Sequence, residues 1–131
     1  MPEPYLAIKV VMMPRDLNPA NTIFGGVLLS YIDQAAAIGA RHEISQMGGH
    51  CPLLVTVAMD KIEFKKPVLV GDVVSFRTRL LRLGTTSITI HVNVEAERGG
   101  ESIDVTQGDV VYVAVEKQPT GKLQPVPIKR C

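Results

Sequence analysis

The chain has 131 residues, one domain's worth, and a formal net charge of +1, so it lacks the basic field expected of a nucleic-acid partner. Hydrophobic residues make up 46% of it, a globular composition that excludes an intrinsically disordered chain. The apolar stretches are short and interrupted by charges, which excludes membrane insertion through a spanning helix.

The expected single domain covers residues 1–131, with its core at about 5–117. Residues 5–13 (YLAIKVVMM) are apolar and rich in branched side chains, and read as a strand ended by Pro14. The run from Arg15 to Thr22 is rich in Asp, Asn and Pro and reads as a loop. From Gly26 the apolar residues Val27, Leu28, Tyr31, Ile32, Ala35 and Ala36 recur at helical spacing. The helix should run from about Gly25 to about Met47, with Gly48-Gly49 as its stop. Its middle is small and apolar nearly all round, so other elements are expected to enclose it.

The rest reads as four strands, 53–64, 73–82, 86–97 and 103–116, with turns at Gly71-Asp72, Gly84 and Gly99-Gly100. Residues 86–97 alternate Ile88, Ile90, Val92 and Val94 against Ser87, Thr89, His91, Asn93 and Glu95, the pattern of a half-buried strand. Short turns predict an antiparallel meander. The tail 118–131, with three prolines, should be extended. The expected class is α+β: one long helix wrapped by an antiparallel sheet.

Met1-Pro2-Glu3-Pro4 does not resemble a signal peptide, and Cys51 and Cys131 fit no metal or redox spacing. A reducing cytoplasm is the expected compartment. His42, His50 and His91 form no pair with metal-ligand spacing, so structural or surface roles are expected and no metal site is predicted. Asp60 and Asp72 fall at strand-surface and turn positions. No nucleophile elbow, phosphate-binding loop or dinucleotide fingerprint is present in the sequence.

Two features suggest chemistry. Gly25-Gly26 stands where the loop becomes the helix, where unpaired amides and the helix dipole suit a phosphate or a developing oxyanion. The same glycines also satisfy ordinary turn geometry. Asp33 is a carboxylate in the apolar part of that helix, costly to bury unless paired or used. Its other reading is an exposed stripe with Gln34 and Arg41. Gly25 and Asp33 are about 12 Å apart along a helix axis, too far for one Asp to reach a carbonyl held at its own helix N-terminus. If both act on one atom they come from different chains, at a twofold interface.

The run NPANTIFGGVLLSYID (18–33), with TVAMDKIEFKKPVLVGDVV (56–74) and RLGTTSITIHVNVEAE (82–97), resembles the hotdog-fold acyl-CoA thioesterases, in particular the YciA-like acyl-CoA hydrolases. The likeness covers about residues 8–117. It implies a hotdog fold with a five- or six-stranded sheet, a dimer with a continuous sheet, and commonly a hexameric trimer of dimers. It maps the family's catalytic pair onto Asn18 and Asp33, contributed by opposite subunits. Phe24 stands where many relatives have His, as in the YciA-like branch; Thr22 departs from the Asp often found in that branch.

On this reading Gly25 or Gly26 polarises the thioester carbonyl, and Asp33 activates water or attacks directly. Asn18 orients the water or the thioester. A thiol leaves without a strong general acid, its pKa being near about 8.5. Coenzyme A enters as part of the substrate and no cofactor is needed. Lys65 and Lys66, and the turn of Arg82, Thr85, Thr86 and Ser87, are candidates for contacts to the coenzyme, as is Thr56; a solvated face is the alternative for each. The rival readings are a non-catalytic acyl-CoA sensor, which would need no Asp33, and a hotdog hydratase or dehydratase, which would need a catalytic His not found at a matching position.

Overall fold

A computed structural model describes residues 3–49 and 53–128; the sequence expectations for His50, Cys51 and Cys131 lie outside this range. The elements are β1 (Tyr5–Val11), a 3-10 turn (Pro14–Asp16), α1 (Gly25–Gln46), β2 (Leu53–Phe64), β3 (Val73–Leu83), β4 (Ser87–Arg98), β5 (Glu101–Lys117) and β6 (Leu123–Pro125). All pairings are antiparallel, in the order β1-β3-β4-β5-β2, with β6 added to the end of β5. The α+β expectation of one helix against a six-stranded sheet is met.

Two details differ from the sequence reading. β3, β4 and β5 form a meander, but β2 does not join it beside β3; it lies on the far side of β5. The cause is the eight-residue connection 65–72, too long for a hairpin and able to cross beneath β5 and β4. The tail is also more than extended chain. It turns at Gly121 and pairs Pro125 with Val115, and Ile128 is buried in the core.

The stripe Leu28, Ile32, Ala35, Ala36, Gly39 and Ala40 of α1 is buried, at the three- and four-residue spacing of one helix face. It packs on the inner face of β4, where Ile88, Ile90, Val92 and Val94 are all 0% exposed, as their alternation predicts. Helix and sheet are in close contact at Gly39, where any Cβ would lie 2.7 Å from Thr78 Cβ. In the single chain α1 is enclosed on one side only: Phe24 and Ile38 remain exposed.

β2 is irregular near its middle. Its pairing with β5 is interrupted between Asp60 and Glu63, where Lys61 takes a left-handed φ of 53° and the chain bulges. Ile62 tucks against Gly108, which has no side chain to block it. One edge of β2 is unpaired among the described residues, and Leu53, Val57 and Phe64 are each more than half exposed along the strand. No described helix is long and apolar enough to cross a membrane.

The 67–72 connection is held by an ion pair. Arg98 Nε and Nη2 donate to Asp72 Oδ1 at 3.0 Å and Oδ2 at 2.7 Å, and Nη2 also donates to the Pro67 carbonyl at 3.2 Å. Asp72 occupies the turn position expected of it, but it is buried rather than solvated. Burial works to raise its pKa; the Arg98 hydrogen bonds, the Leu69 amide and the Arg98 charge overcome this and hold the carboxyl below its usual value. A depressed folded-state pKa contributes stability above the unfolded pKa and loses it as pH falls through the folded value. Asp72→Asn is therefore expected to destabilise the fold at pH 7 by about 1–3 kcal/mol and by progressively less below about pH 4. Denaturant midpoints of both proteins across that range measure it.

Candidate active site

The site begins at the loop before α1. Asn18 Oδ1 accepts from the Ala20 amide at 2.9 Å and the Thr22 amide at 3.1 Å, while its Nδ2 donates to Thr22 Oγ1 at 2.8 Å. These bonds fold residues 18–22 into a tight turn that delivers the chain to the helix. Thr22 thus has a partner of its own. Much of the hydrogen-bonding capacity of Asn18 is used within the loop, leaving one Nδ2 hydrogen without an acceptor among the described residues. Ile23 N then donates to the Val68 carbonyl at 2.8 Å, joining the helix start to the connection that Arg98 holds.

Gly25 is the first residue of α1, and neither its amide nor that of Gly26 has a backbone acceptor among the described residues. Gly25 lines a cavity of about 300 Å³ with Ile23, Leu28, Phe64, Lys66 and Pro67. A Cβ at Gly25 would stand 3.4 Å from the Phe64 ring, so glycine leaves this wall of the cavity open. Lys65 and Lys66 both border this cavity. Lys65 Nζ pairs with Asp104 Oδ2 at 2.9 Å, and that hydrogen bond raises its pKa. Lys66 forms no ion pair among the described residues.

Asp33 lies two turns further along α1, on the side turned to β2 and β5. Thr56 and Tyr112 are directly paired across those strands. Thr56 Oγ1 donates to Asp33 Oδ1 at 2.8 Å. The Tyr112 hydroxyl reaches the same oxygen at 2.8 Å and shares its single hydrogen with the Asp33 main-chain carbonyl. Asp33 Oδ2 accepts no hydrogen bond among the described residues. The carboxylate is thus oriented through one oxygen and open at the other. Burial, and then the bond to Asp33, push the Tyr112 pKa far up, so the phenol stays protonated and remains a donor.

Two clusters therefore exist in one chain: Gly25-Gly26 with Lys65 and Lys66, and Asp33 with Thr56 and Tyr112. They are about 12 Å apart along α1, as the sequence spacing requires. The turn of Arg82, Thr85, Thr86 and Ser87 is remote from the Gly25 cluster within the chain, while Ser87 stands one row from Ile88, Tyr112 and Thr56, the row that holds Asp33. Phe64 shares its row with Thr106 and Val94, and Ser87 is seven residues along β4 from Val94, about 23 Å away. The Thr85 and Thr86 carbonyls are occupied, accepting from the Ile128 and Ala114 amides. Among the described residues no three His, Cys, Asp or Glu side chains cluster as a metal site.

The thioesterase superfamily profile matches residues 20–103, a span that takes in Gly25-Gly26, Asp33, Thr56 and both lysines. The chain belongs to the thioesterase superfamily. It is 37% identical to the acyl-CoA thioester hydrolase YciA of Salmonella typhimurium over 98% of this chain and 94% of that protein. The hexameric hotdog-fold thioesterase of Campylobacter jejuni is 42% identical and superposes with a TM-score of 0.78, over 93% of this chain and 90% of that one. The hexameric thioesterase of Yersinia pestis is 37% identical with a TM-score of 0.80, over 97% and 98%. The hotdog fold expected from the three quoted stretches is thereby shown.

In this thioesterase two partners of the site escaped the sequence reading. Tyr112 sits in an alternating apolar run and looks like core; the signal was that a buried phenol needs a hydrogen-bond partner. Arg98 stands beside a Gly-Gly turn and looks like a solvated hairpin end. Tyr112→Phe keeps the ring and removes the hydroxyl from Asp33. It is expected to lower kcat about ten- to a hundredfold with little change in KM, since a hydrogen bond to a charged group contributes about 1.5–3 kcal/mol. Steady-state kinetics on one acyl-CoA checks this.

Proposed function

We propose that this chain hydrolyses acyl-CoA thioesters at a site shared by two subunits, Asp33 coming from one and Gly25-Gly26 with Asn18 from the other. The observation that carries this reading is the open oxygen of Asp33, held about 12 Å along one helix from the unpaired amides that a thioester oxyanion needs. The unpaired, apolar edge of β2 supplies the means of association. Antiparallel pairing of two such edges about Asp60 sets Thr56, which holds Asp33, opposite Phe64 of the partner subunit, the row that carries the partner's Gly25.

The same pairing reconciles the separated basic groups. The partner's Lys65 and Lys66 arrive near Val55, which shares its row with Val113 and Ser87. Lys66, free of any carboxylate among the described residues, and the Arg82–Ser87 turn would then flank one coenzyme A. The acyl chain lies between the two helices, over Phe24 and Ile38. Three such dimers would form a hexamer, the assembly size named for the Campylobacter and Yersinia proteins. The enzyme works in the cytoplasm with no cofactor, coenzyme A being product rather than helper.

In the reaction, Asp33 takes the proton of an attacking water or itself attacks the thioester carbonyl. The carbonyl oxygen becomes an oxyanion facing the Gly25 and Gly26 amides, and the remaining Nδ2 hydrogen of Asn18 orients the nucleophile or the thioester. Collapse breaks the C–S bond and releases coenzyme A thiolate, which needs no strong acid to leave. In the direct route water then hydrolyses the mixed anhydride and restores Asp33. Thiol release from acyl-CoAs of graded chain length is the test. Turnover supports hydrolysis; tight binding without thiol release would favour the sensor instead.

A further inference from the structure

The outer face of the sheet, away from α1, holds a polar cluster that the hydrolase reading leaves unused. Arg79 of β3, His91 of β4 and Asp109 of β5 lie in one register row, and Arg77 and Asn93 lie in the next. Polar side chains on an outer face are ordinarily solvated, yet the His91 and Asp109 side chains are only 17% and 10% exposed. His91 Nδ1 and Asp109 Oδ1 are 2.7 Å apart. An ionised carboxylate only accepts, so Nδ1 carries a hydrogen; Nε2, the ring nitrogen left for a ligand, donates to an anion when the ring is an imidazolium and otherwise accepts from a protonated phosphate oxygen. Arg77, Arg79, His91, Asn93, Glu95 and Pro4 enclose a cavity of about 240 Å³.

The charges around this cavity favour an anion. Glu95 is its only lining carboxylate among the described residues, and both oxygens are engaged: Arg77 Nε lies 3.5 Å from Oε1, and Ser102 Oγ donates to Oε2 at 2.8 Å. Arg79 forms no ion pair among the described residues. Glu95 matches the charge of Arg77 and Asp109 lies against His91, so Arg79 is the unmatched charge of this lining, with the Asn93 amide beside it. The volume is below the roughly 300–1,000 Å³ of sites that enclose whole small molecules. It suits one tetrahedral oxyanion group rather than a nucleoside.

We infer that this outer-face cavity binds a phosphate group, separately from thioester hydrolysis, with Arg79 as its principal charge partner and His91 positioned by Asp109. The phosphate is either free inorganic phosphate or the 3′-phosphate of a coenzyme A nucleotide.

The test follows the His91 ring signals by NMR in the full-length assembled protein, assigned with His91→Gln, during titration with inorganic phosphate and separately with adenosine 3′,5′-bisphosphate. A saturable shift is expected, weakened about tenfold by Arg79→Ala, which is exposed and leaves no partner behind. Hydrolysis of an acyl-pantetheine, which carries no nucleotide, should be unchanged in Arg79→Ala. A shift with phosphate assigns the free ion, and a shift with the bisphosphate alone assigns the nucleotide. No saturable shift with either, or one that Arg79→Ala leaves intact, overturns the site. A shift that accompanies a change in sedimentation coefficient also overturns it, because the face would then join copies of the chain. Hydrolysis is read independently, so failure here leaves the active-site assignment standing.

Discussion

Asp33→Ala is expected to lower kcat on acyl-CoA by about 10²–10⁴-fold, the range that a positioned base contributes. The structure suggests that this variant folds. Asp33 is half-buried at the edge of the helix, and Thr56 is exposed enough to hydrate when its partner is gone. The buried Tyr112 hydroxyl is not orphaned, because it also meets the main-chain carbonyl of residue 33, which alanine retains. Circular dichroism and sedimentation should therefore match the wild type while thiol release falls. Wild-type turnover in a folded variant would remove Asp33 from the chemistry and return it to the exposed-stripe reading.

The largest stability effect is expected at Gly39. A Cβ there meets Thr78 Cβ at 2.7 Å and Cγ2 at 3.0 Å. Thr78 is 2% exposed and β-branched, and its strand is clamped between β1 and β4, so neither side can yield cheaply. Gly39→Val should cost about 2–3 kcal/mol through overpacking. Gly39→Ala should cost less, because alanine regains about 1 kcal/mol of helix propensity. Urea midpoints of the two variants give the comparison. A Val variant as stable as the wild type would mean that helix and sheet are not in contact at this point.

The sequence made the elements legible because each has its own period and its own stop. The helix from Gly25 is visible in apolar spacing, and its expected end at about Met47 lies one residue past Gln46. β4 was visible in strict alternation. The position of β2 was not, since strand order depends on the path of the 65–72 connection rather than on any local pattern. The partners of Asp33 were hidden for a similar reason: Thr56 is 23 residues away and Tyr112 is 79, and neither position looks polar by its surroundings. The Asp72–Arg98 pair spans 26 residues and two turns, each of which alone reads as solvated. The 12 Å separation of Gly25 from Asp33 was legible, because helix geometry converts a residue count directly into a distance.

The central claim is that each site is assembled from two subunits, and mixing two inactive variants tests it most directly. Asn18→Ala and Asp33→Ala subunits are co-expressed in equal amounts with different tags, and assemblies carrying both tags are purified and assayed for thiol release. In a shared site, one of the two sites in each mixed dimer carries both lesions and the other carries neither. With random pairing about half of the dimers in such an assembly are mixed, so it should recover about a quarter of wild-type activity. Mixed assemblies as inactive as either parent would place the whole site within a single chain and contradict the account.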